Sequence, residues 1–172
     1  MGLFDFFKAS PSKNTVPTNL PLLCSFDKVT FTFENAESFS VGNKVFFKRN
    51  PTKEDDCGVD IYCYDKRIGC LPYGRIKVYV ANGLKNPKCK IIGEITDVKK
   101  VKATVRIDWY EDVIVLCSPN GKCYHSDSCS SLPSDCVEIS ISKAEKIGLS
   151  ACKKCGGELK AEYLENRYYR TK

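Results

Sequence analysis

The chain is poor in the residues and motifs on which most enzymes depend. Its 172 residues include one histidine, one tryptophan and one methionine. It has no Gly-x-Ser-x-Gly nucleophile motif, no His-Glu-x-x-His motif and no glycine-rich phosphate loop. No apolar run is long enough to span a membrane, and the charged Asp5 and Lys8 interrupt the Phe-rich start. We therefore expect a cytoplasmic protein that is not an enzyme.

The cysteine count excludes a simple disulfide framework. The chain has 11 cysteines, whereas a secreted disulfide-bonded domain would have an even number. Five of them lie in apolar, strand-like runs, where a reduced cysteine acts as a small core residue. These five are Cys24, Cys63, Cys70, Cys89 and Cys117. The pattern indicates reduced thiols in the cytoplasm.

The single histidine begins a pattern that is typical of structural zinc. His125 lies four residues before Cys129, and the pair Cys152 and Cys155 follows as Cys-x2-Cys-Gly-Gly. The glycines allow backbone N–H groups to point at the sulfurs. One imidazole and three thiolates suit the closed tetrahedral coordination of Zn²⁺. We predict that these four residues hold one structural zinc ion.

Two nearby cysteines, Cys123 and Cys136, stay open as further ligands. The position of Cys123 on the strand that ends at His125 predicts that its thiol faces away from the metal. With His125 bound to zinc, no histidine remains as a general base. Four protein ligands also leave no open coordination position. We therefore expect a structural ion rather than a catalytic one.

The segment around these ligands resembles the Ada-like metal-binding module, over residues 114–157. The matching features are an apolar strand over 113–117, an Asn-Gly turn over 118–121, a returning strand over 122–125, an alternating strand over 137–141, and a capping box at 142–145 that opens a helix closed by Gly148. In that family the first ligand is a cysteine that accepts a methyl group from damaged DNA. Here that position is His125, so we do not expect methyl transfer.

The preceding part of the chain is predicted to be mostly β. Short alternating runs cover 26–33, 44–49, 59–64, 67–71 and 90–98, and the clearest period-two pattern runs from Val101 to Trp109. One short helix is predicted over 74–82. The fold class is therefore mainly β with short helices (α+β), with the first part forming a small, partly open barrel or curled sheet.

Three regions are predicted along the chain. Residues 1–19 are polar and proline-punctuated and are predicted to be a flexible tail. Residues 20–112 form the barrel domain, and 113–172 form the zinc-stapled module with a C-terminal helix from 158 to 172. Leu159, Tyr163 and Tyr169 of this helix are predicted to cover the zinc module. The boundary lies near Glu111, where one strand pattern ends before the next begins.

The first domain resembles the HIRAN domain. The motifs that carry this resemblance are Lys48-Arg49-Asn-Pro51, Asp55-x2-Gly58-Val59-x-Ile61 and Arg67-Ile68-Gly69-x-Leu71-Pro72. The family is a small β-barrel of DNA-repair helicases. The resemblance implies binding of single-stranded DNA, notably free 3′ ends, in a groove on the barrel. It places Asp55 at the family's acidic position and Arg49 at its basic strand end.

Charge also favours an anionic partner. The chain carries a net charge of +6, and nine basic residues against two acids lie between Arg67 and Lys102. Tyrosines are interleaved with them, and single-stranded nucleic acid is bound by cations along its phosphates and rings under its bases. The predicted nucleic-acid-binding residues are Arg49, Asp55, Tyr64, Arg67, Tyr73, Arg75 and Lys77.

Two functions remain open. In the first, the chain is a zinc-containing protein that binds single-stranded DNA or DNA ends without catalysis. In the second, zinc staples a protein-interaction or adaptor module whose basic face meets an acidic protein. The second is favoured by Glu54, which stands where the HIRAN family has a base-stacking aromatic residue.

Overall fold

The structure is a computed structural model and describes residues 20–33, 39–155 and 163–169. The predicted tail over 1–19 lies outside these residues. The described residues contain ten strands in two sheets, two α-helices and one π-helical turn. The predicted class, mainly β with short helices, is confirmed.

The first sheet is antiparallel and has six strands. Its elements are β1 (Leu22–Thr32), β2 (Lys44–Arg49), β3 (Val59–Cys63), β4 (Lys66–Cys70), α1 (Arg75–Gly83), β5 (Cys89–Lys99) and β6 (Lys102–Glu111). The strand order is β1-β6-β5-β2-β3-β4. The alternation predicted from Val101 to Trp109 is confirmed from Ala103 onward, because Ala103, Val105, Ile107 and Trp109 are all buried, while Val101 precedes β6 and is 60% exposed. The four buried residues form the centre of the core.

The two edges of this sheet meet at one point. An isolated bridge joins Phe33, just after β1, to Gly69 of β4. A Cβ atom on Gly69 would lie 2.7 Å from the carbonyl oxygen of Thr32, so glycine permits this approach. The sheet is therefore curled but does not close into a barrel. This agrees with the partly open barrel or curled sheet that the sequence predicts.

Helix α1 packs on the core over Trp109, and it matches the helix predicted over 74–82. Val80 and Ala81 are fully buried. A Cβ atom on Gly83 would come within 2.2 Å of the Trp109 ring. Gly83 thus ends the helix and also lets it lie against the largest core side chain.

The second sheet carries the metal-ligand pattern. Its elements are β7 (Ile114–Cys117), β8 (Cys123–His125), β9 (Val137–Ser140), α2 (Ile141–Lys146) and β10 (Ser150–Ala151), in the order β10-β8-β7-β9. Only the β10–β8 pair is parallel. Helix α2 begins earlier than the capping box predicted, because the Ser140 hydroxyl accepts the Lys143 N–H at 3.3 Å. Asp112 accepts the backbone N–H of Ser142 instead.

The described part of the C-terminal segment, residues 163–169, packs on the first sheet. The sequence had instead predicted a helix over 158–172 that covers the zinc module, and the rest of that helix lies outside the described residues. The described part forms a π-helical turn, Glu165–Tyr169, that contacts α1. The Tyr168 ring lies 4.9 Å from the Trp109 ring, and its hydroxyl donates to Glu111. Within the described ranges, no helix is long and apolar enough to cross a membrane.

The division at residue 112 remains a prediction. We expect a chain that ends at Asp112 to stay soluble, to keep its β-sheet circular dichroism without zinc, and to melt cooperatively. Its melting temperature should fall, because the contacts of Tyr168 are lost. Aggregation without a cooperative melt would contradict the division, since the buried side chains of both sheets form one continuous cluster.

Candidate metal centre and nucleic-acid interface

The four predicted metal ligands lie together. The ligand atoms of His125, Cys129, Cys152 and Cys155 are all within 4.8 Å of one another, and all four residues are buried. The Nδ1 atom of His125 is 3.3 Å from the Cys129 Sγ. Around a tetrahedral zinc ion these atoms would be about 3.6 Å apart. The four side chains are therefore arranged as donors to one ion.

Two local structures bring the ligands together. Strand β8 delivers His125 at its end, and the chain turns at once, since the N–H of Cys129 donates to the Ser126 carbonyl at 3.2 Å. Strand β10 runs beside β8, and the Cys152 N–H donates to the Tyr124 carbonyl at 2.9 Å. The parallel pairing places the Cys-x2-Cys turn directly against the histidine.

Backbone N–H groups stabilise charge on the sulfurs. The N–H groups of Cys155 and Lys154 lower the pKa of the Cys152 thiol. The N–H of Ser126 donates to the Cys155 Sγ at 3.4 Å. Burial outweighs this bond and raises the pKa of Cys155. A buried thiolate needs a compensating positive charge, which a bound cation would supply.

The donor set fits zinc. Three thiols and one imidazole are soft and borderline ligands, which Zn²⁺ binds in closed structural sites. Four buried side chains of this kind, with sulfurs that already accept backbone N–H groups, have the chemistry of such a site. Among the described residues, Cys136 is not in the group of four.

The expectation for Cys123 was wrong. Its Sγ lies 3.4 Å from Nε2 of His125, on the metal side of β8. Residues two apart on a strand share a face, so Cys123 and His125 point the same way. Burial, and then the nearby Cys152, raises the pKa of the Cys123 thiol. This thiol therefore occupies the position of an outer partner that orients the ligating imidazole.

Four of the predicted nucleic-acid-binding residues lie near the start of α1. Lys77 forms an ion pair with Asp55, and its Nζ is 5.7 Å from the centre of the Tyr73 ring. Tyr73 itself is 95% exposed. Arg75 lies in the first turn, 3.8 Å from a carboxylate oxygen of Glu165. Tyr73, Arg75 and Lys77 border a cavity of about 410 Å³ between α1 and the edge of β1, and Asp55 reaches this group only through Lys77.

The other three predicted residues do not join this group. Arg49 donates to the Asp56 carbonyl at 2.8 Å and so holds the loop that carries Asp55. Arg67 pairs with the buried Asp60 at 3.0 Å. Tyr64 directly follows the last residue of β3. It lies about 17 Å along the strand from the first residue of β3, Val59. The structure thus separates the cavity group from Arg49 and Arg67, which support the fold, and from the exposed Tyr64.

Sequence reasoning missed the β1 side of this cavity. Asp27 and Lys28 line it, and Lys28 has a φ of 60° at a register shift between Phe26 and Val29. Such a bulge at a sheet edge re-aims a side chain. An Asp-Lys pair inside an alternating run was the available signal, because it interrupts the apolar face between Phe26 and Val29.

Comparison with known proteins gives one structural likeness to report. The chain is similar to the crystal structure of the HIRAN domain of human HLTF, with 12% sequence identity and a TM-score of 0.46. The match covers 52% of this chain and 78% of that one. No family model and no curated protein matches the sequence. At this identity, function has to be inferred from the side chains of the sites themselves.

Proposed function

We propose that this chain is a non-enzymatic, zinc-containing protein that binds single-stranded DNA. Tyr73 and Arg75, at the start of α1, contact the strand, and the buried Lys77 supports them through its ion pair with Asp55. The zinc ion, held by His125, Cys129, Cys152 and Cys155, has a structural role.

The exposed ring of Tyr73 is the observation that carries this proposal. It is 95% exposed, and it stands beside Lys77 at the rim of a cavity. Stacking under a base requires an aromatic face that is free and has cations nearby for the phosphates. Arg75 has its side chain 69% exposed and supplies such a cation.

The metal residues support a structural role for the ion. A bound zinc ion would cross-link the loop after β8 to the turn after β10. Four protein donors fill a tetrahedral shell, and the group contains no carboxylate to act as a general base. The ion would thus fix the second sheet and take no part in a reaction.

Replacing Tyr73 with alanine should weaken binding of a labelled oligonucleotide by about 1–3 kcal/mol, because a stacked base is lost. The salt slope should stay unchanged. Arg75→Gln should instead lower that slope by about 0.7, because one phosphate contact is lost. Fluorescence anisotropy over a salt series measures both quantities.

Tyr64→Ala is the matched control. Tyr64 is also exposed but lies at the far end of β3, so its removal should leave affinity nearly unchanged. Equal losses at Tyr64 and Tyr73 would contradict the assignment of the cavity. If no oligonucleotide binds at low salt, the protein-interaction or adaptor function becomes the better explanation. Oligonucleotides with free and blocked 3′ ends test end recognition.

A further inference from the structure

A second cavity lies beside the first along β1. It has a volume of about 690 Å³ and is formed by the tip of the β5–β6 hairpin. Its lining includes Lys99, Lys100, Val101 and Lys102. Thr30 of β1 lines both cavities. The two cavities therefore adjoin at Thr30 of β1, an edge strand of the first sheet.

The pairing of the strands gives the distances along this surface. Thr30 pairs with Thr104, and Thr32 pairs with Lys102. Lys28, on the bulge, is four residues from Thr32, which is about 13 Å along a strand. A stretch of this length falls within the footprint of a few nucleotides that small barrels cover.

The charge of this surface is mainly positive. Lys28 and Arg75 border the first cavity, and three lysines border the second. All three, Lys99, Lys100 and Lys102, are exposed. The acids on the same lining are Asp27 and Asp97, and Asp97 pairs with Lys99 at 2.9 Å. The side chain of Val101 is 60% exposed between the lysines.

We infer that the bound single strand runs from the Tyr73 cavity across β1 at Thr30 to the tip of the β5–β6 hairpin. Lys100 and Lys102 contact its phosphates there, and the Val101 side chain lies against a sugar or base. This inference rests on the proposed function and extends its footprint. It assigns a second cationic contact, separate from α1.

An extended peptide is the competing occupant, because β1 is an edge strand of the first sheet. A peptide would bind through the backbone of residues 27–30 and would not need lysines at the hairpin tip. Cations spaced along a groove are instead the complement of a phosphate chain. The charge distribution therefore favours nucleic acid.

The test is a Lys100→Gln/Lys102→Gln double variant of the full chain. Binding of labelled single-stranded oligonucleotides of 4 and 12 nucleotides is measured over a salt series. With the 12-mer, the slope of log affinity against log salt should fall by about 1.4, because two contacts of about 0.7 each are lost. With the 4-mer the change in this slope should be smaller, because a strand of four nucleotides is held at the Tyr73 cavity and does not reach the hairpin tip. Lys143→Gln/Lys146→Gln, on the exposed face of α2, is the matched control.

The outcomes separate this inference from the proposed function. If the wild-type chain binds the 12-mer and the hairpin variant keeps the wild-type slope, the path over the hairpin is wrong while strand binding stands. A loss of the same size in the α2 control would overturn the path too, because it would indicate a non-specific charge effect. If the wild-type chain binds neither oligonucleotide at low salt, the proposed function itself fails.

Discussion

Treatment with a strong chelator is expected to remove one zinc ion per chain and to unfold the second sheet. Structural zinc sites bind with an apparent free energy of about 10–16 kcal/mol at neutral pH, and that energy is coupled to folding. Strands β8 and β10 are only three and two residues long, so their pairing depends on the metal cross-link. Native mass spectrometry gives the metal content, and hydrogen exchange locates the unfolding.

Cys152→Ser should abolish zinc binding, and Cys70→Ser is its control. Cys70 is an exposed cysteine of β4, outside the group of four, so its loss should leave one ion per chain. Because the thiols must lose protons to bind, zinc affinity should fall as the pH is lowered. A wild-type chain without metal, or a Cys152→Ser chain with a full complement, would contradict the assignment.

The metal group was the part of the site that the sequence predicted best. Its four ligands are distinctive in type and spacing. Within each pair, only two or three residues separate the ligands, so the two side chains of a pair must lie close together. Cys123 was mispredicted because its side-chain direction was judged from its neighbour, Tyr124, rather than from the period of two that it shares with His125. The ion itself remains a prediction, and so does the resemblance to the Ada-like module.

The sequence predicted the fold class and the strands of the first sheet well, since their alternation reflects burial on one face. It predicted the nucleic-acid group less well. Charge and aromatic content do not say which cations are already paired, and Arg67 proved to be bound to the buried Asp60. The bulge at Lys28 was missed because Phe26 to Phe33 was treated as one regular alternation, although Asp27 and Lys28 interrupt its apolar face.

The placement of the C-terminal segment also escaped prediction, and its cause is Glu111. This residue is 3% exposed, and its carboxyl group is the common acceptor for one neighbouring donor and three donors from distant parts of the chain. The donors are Trp109 Nε1 at 3.1 Å, Asn86 Nδ2 at 3.0 Å, the Tyr163 hydroxyl at 2.8 Å and the Tyr168 hydroxyl at 2.8 Å. The sequence around a buried acid near a strand end does not indicate which donors will form hydrogen bonds with it.

Replacing Glu111 with alanine is expected to lower the free energy of unfolding by about 3–5 kcal/mol. Removal of a shared buried acceptor leaves several polar donors without partners, and each such group has a desolvation cost. The segment 163–169 should then lose protection in hydrogen exchange, because two of its tyrosines are held by this carboxyl group. Urea unfolding measures the first effect, and exchange followed by mass spectrometry measures the second.

Alkaline titration gives an independent readout of the same contact. Burial, followed by the hydrogen bond to Glu111, raises the pKa of Tyr163, and burial raises that of Tyr168 to about 12. A raised folded-state pKa means that this stability is present below pH 10 and is lost as the pH rises toward 12. In Glu111→Ala both phenols should ionise at lower pH, which ultraviolet absorbance detects. Glu138→Ala, at an exposed position of β9, should change stability by no more than about 0.5 kcal/mol and leave the phenol titration unaltered. An equal effect of the two substitutions would show that Glu111 is not what holds the C-terminal segment.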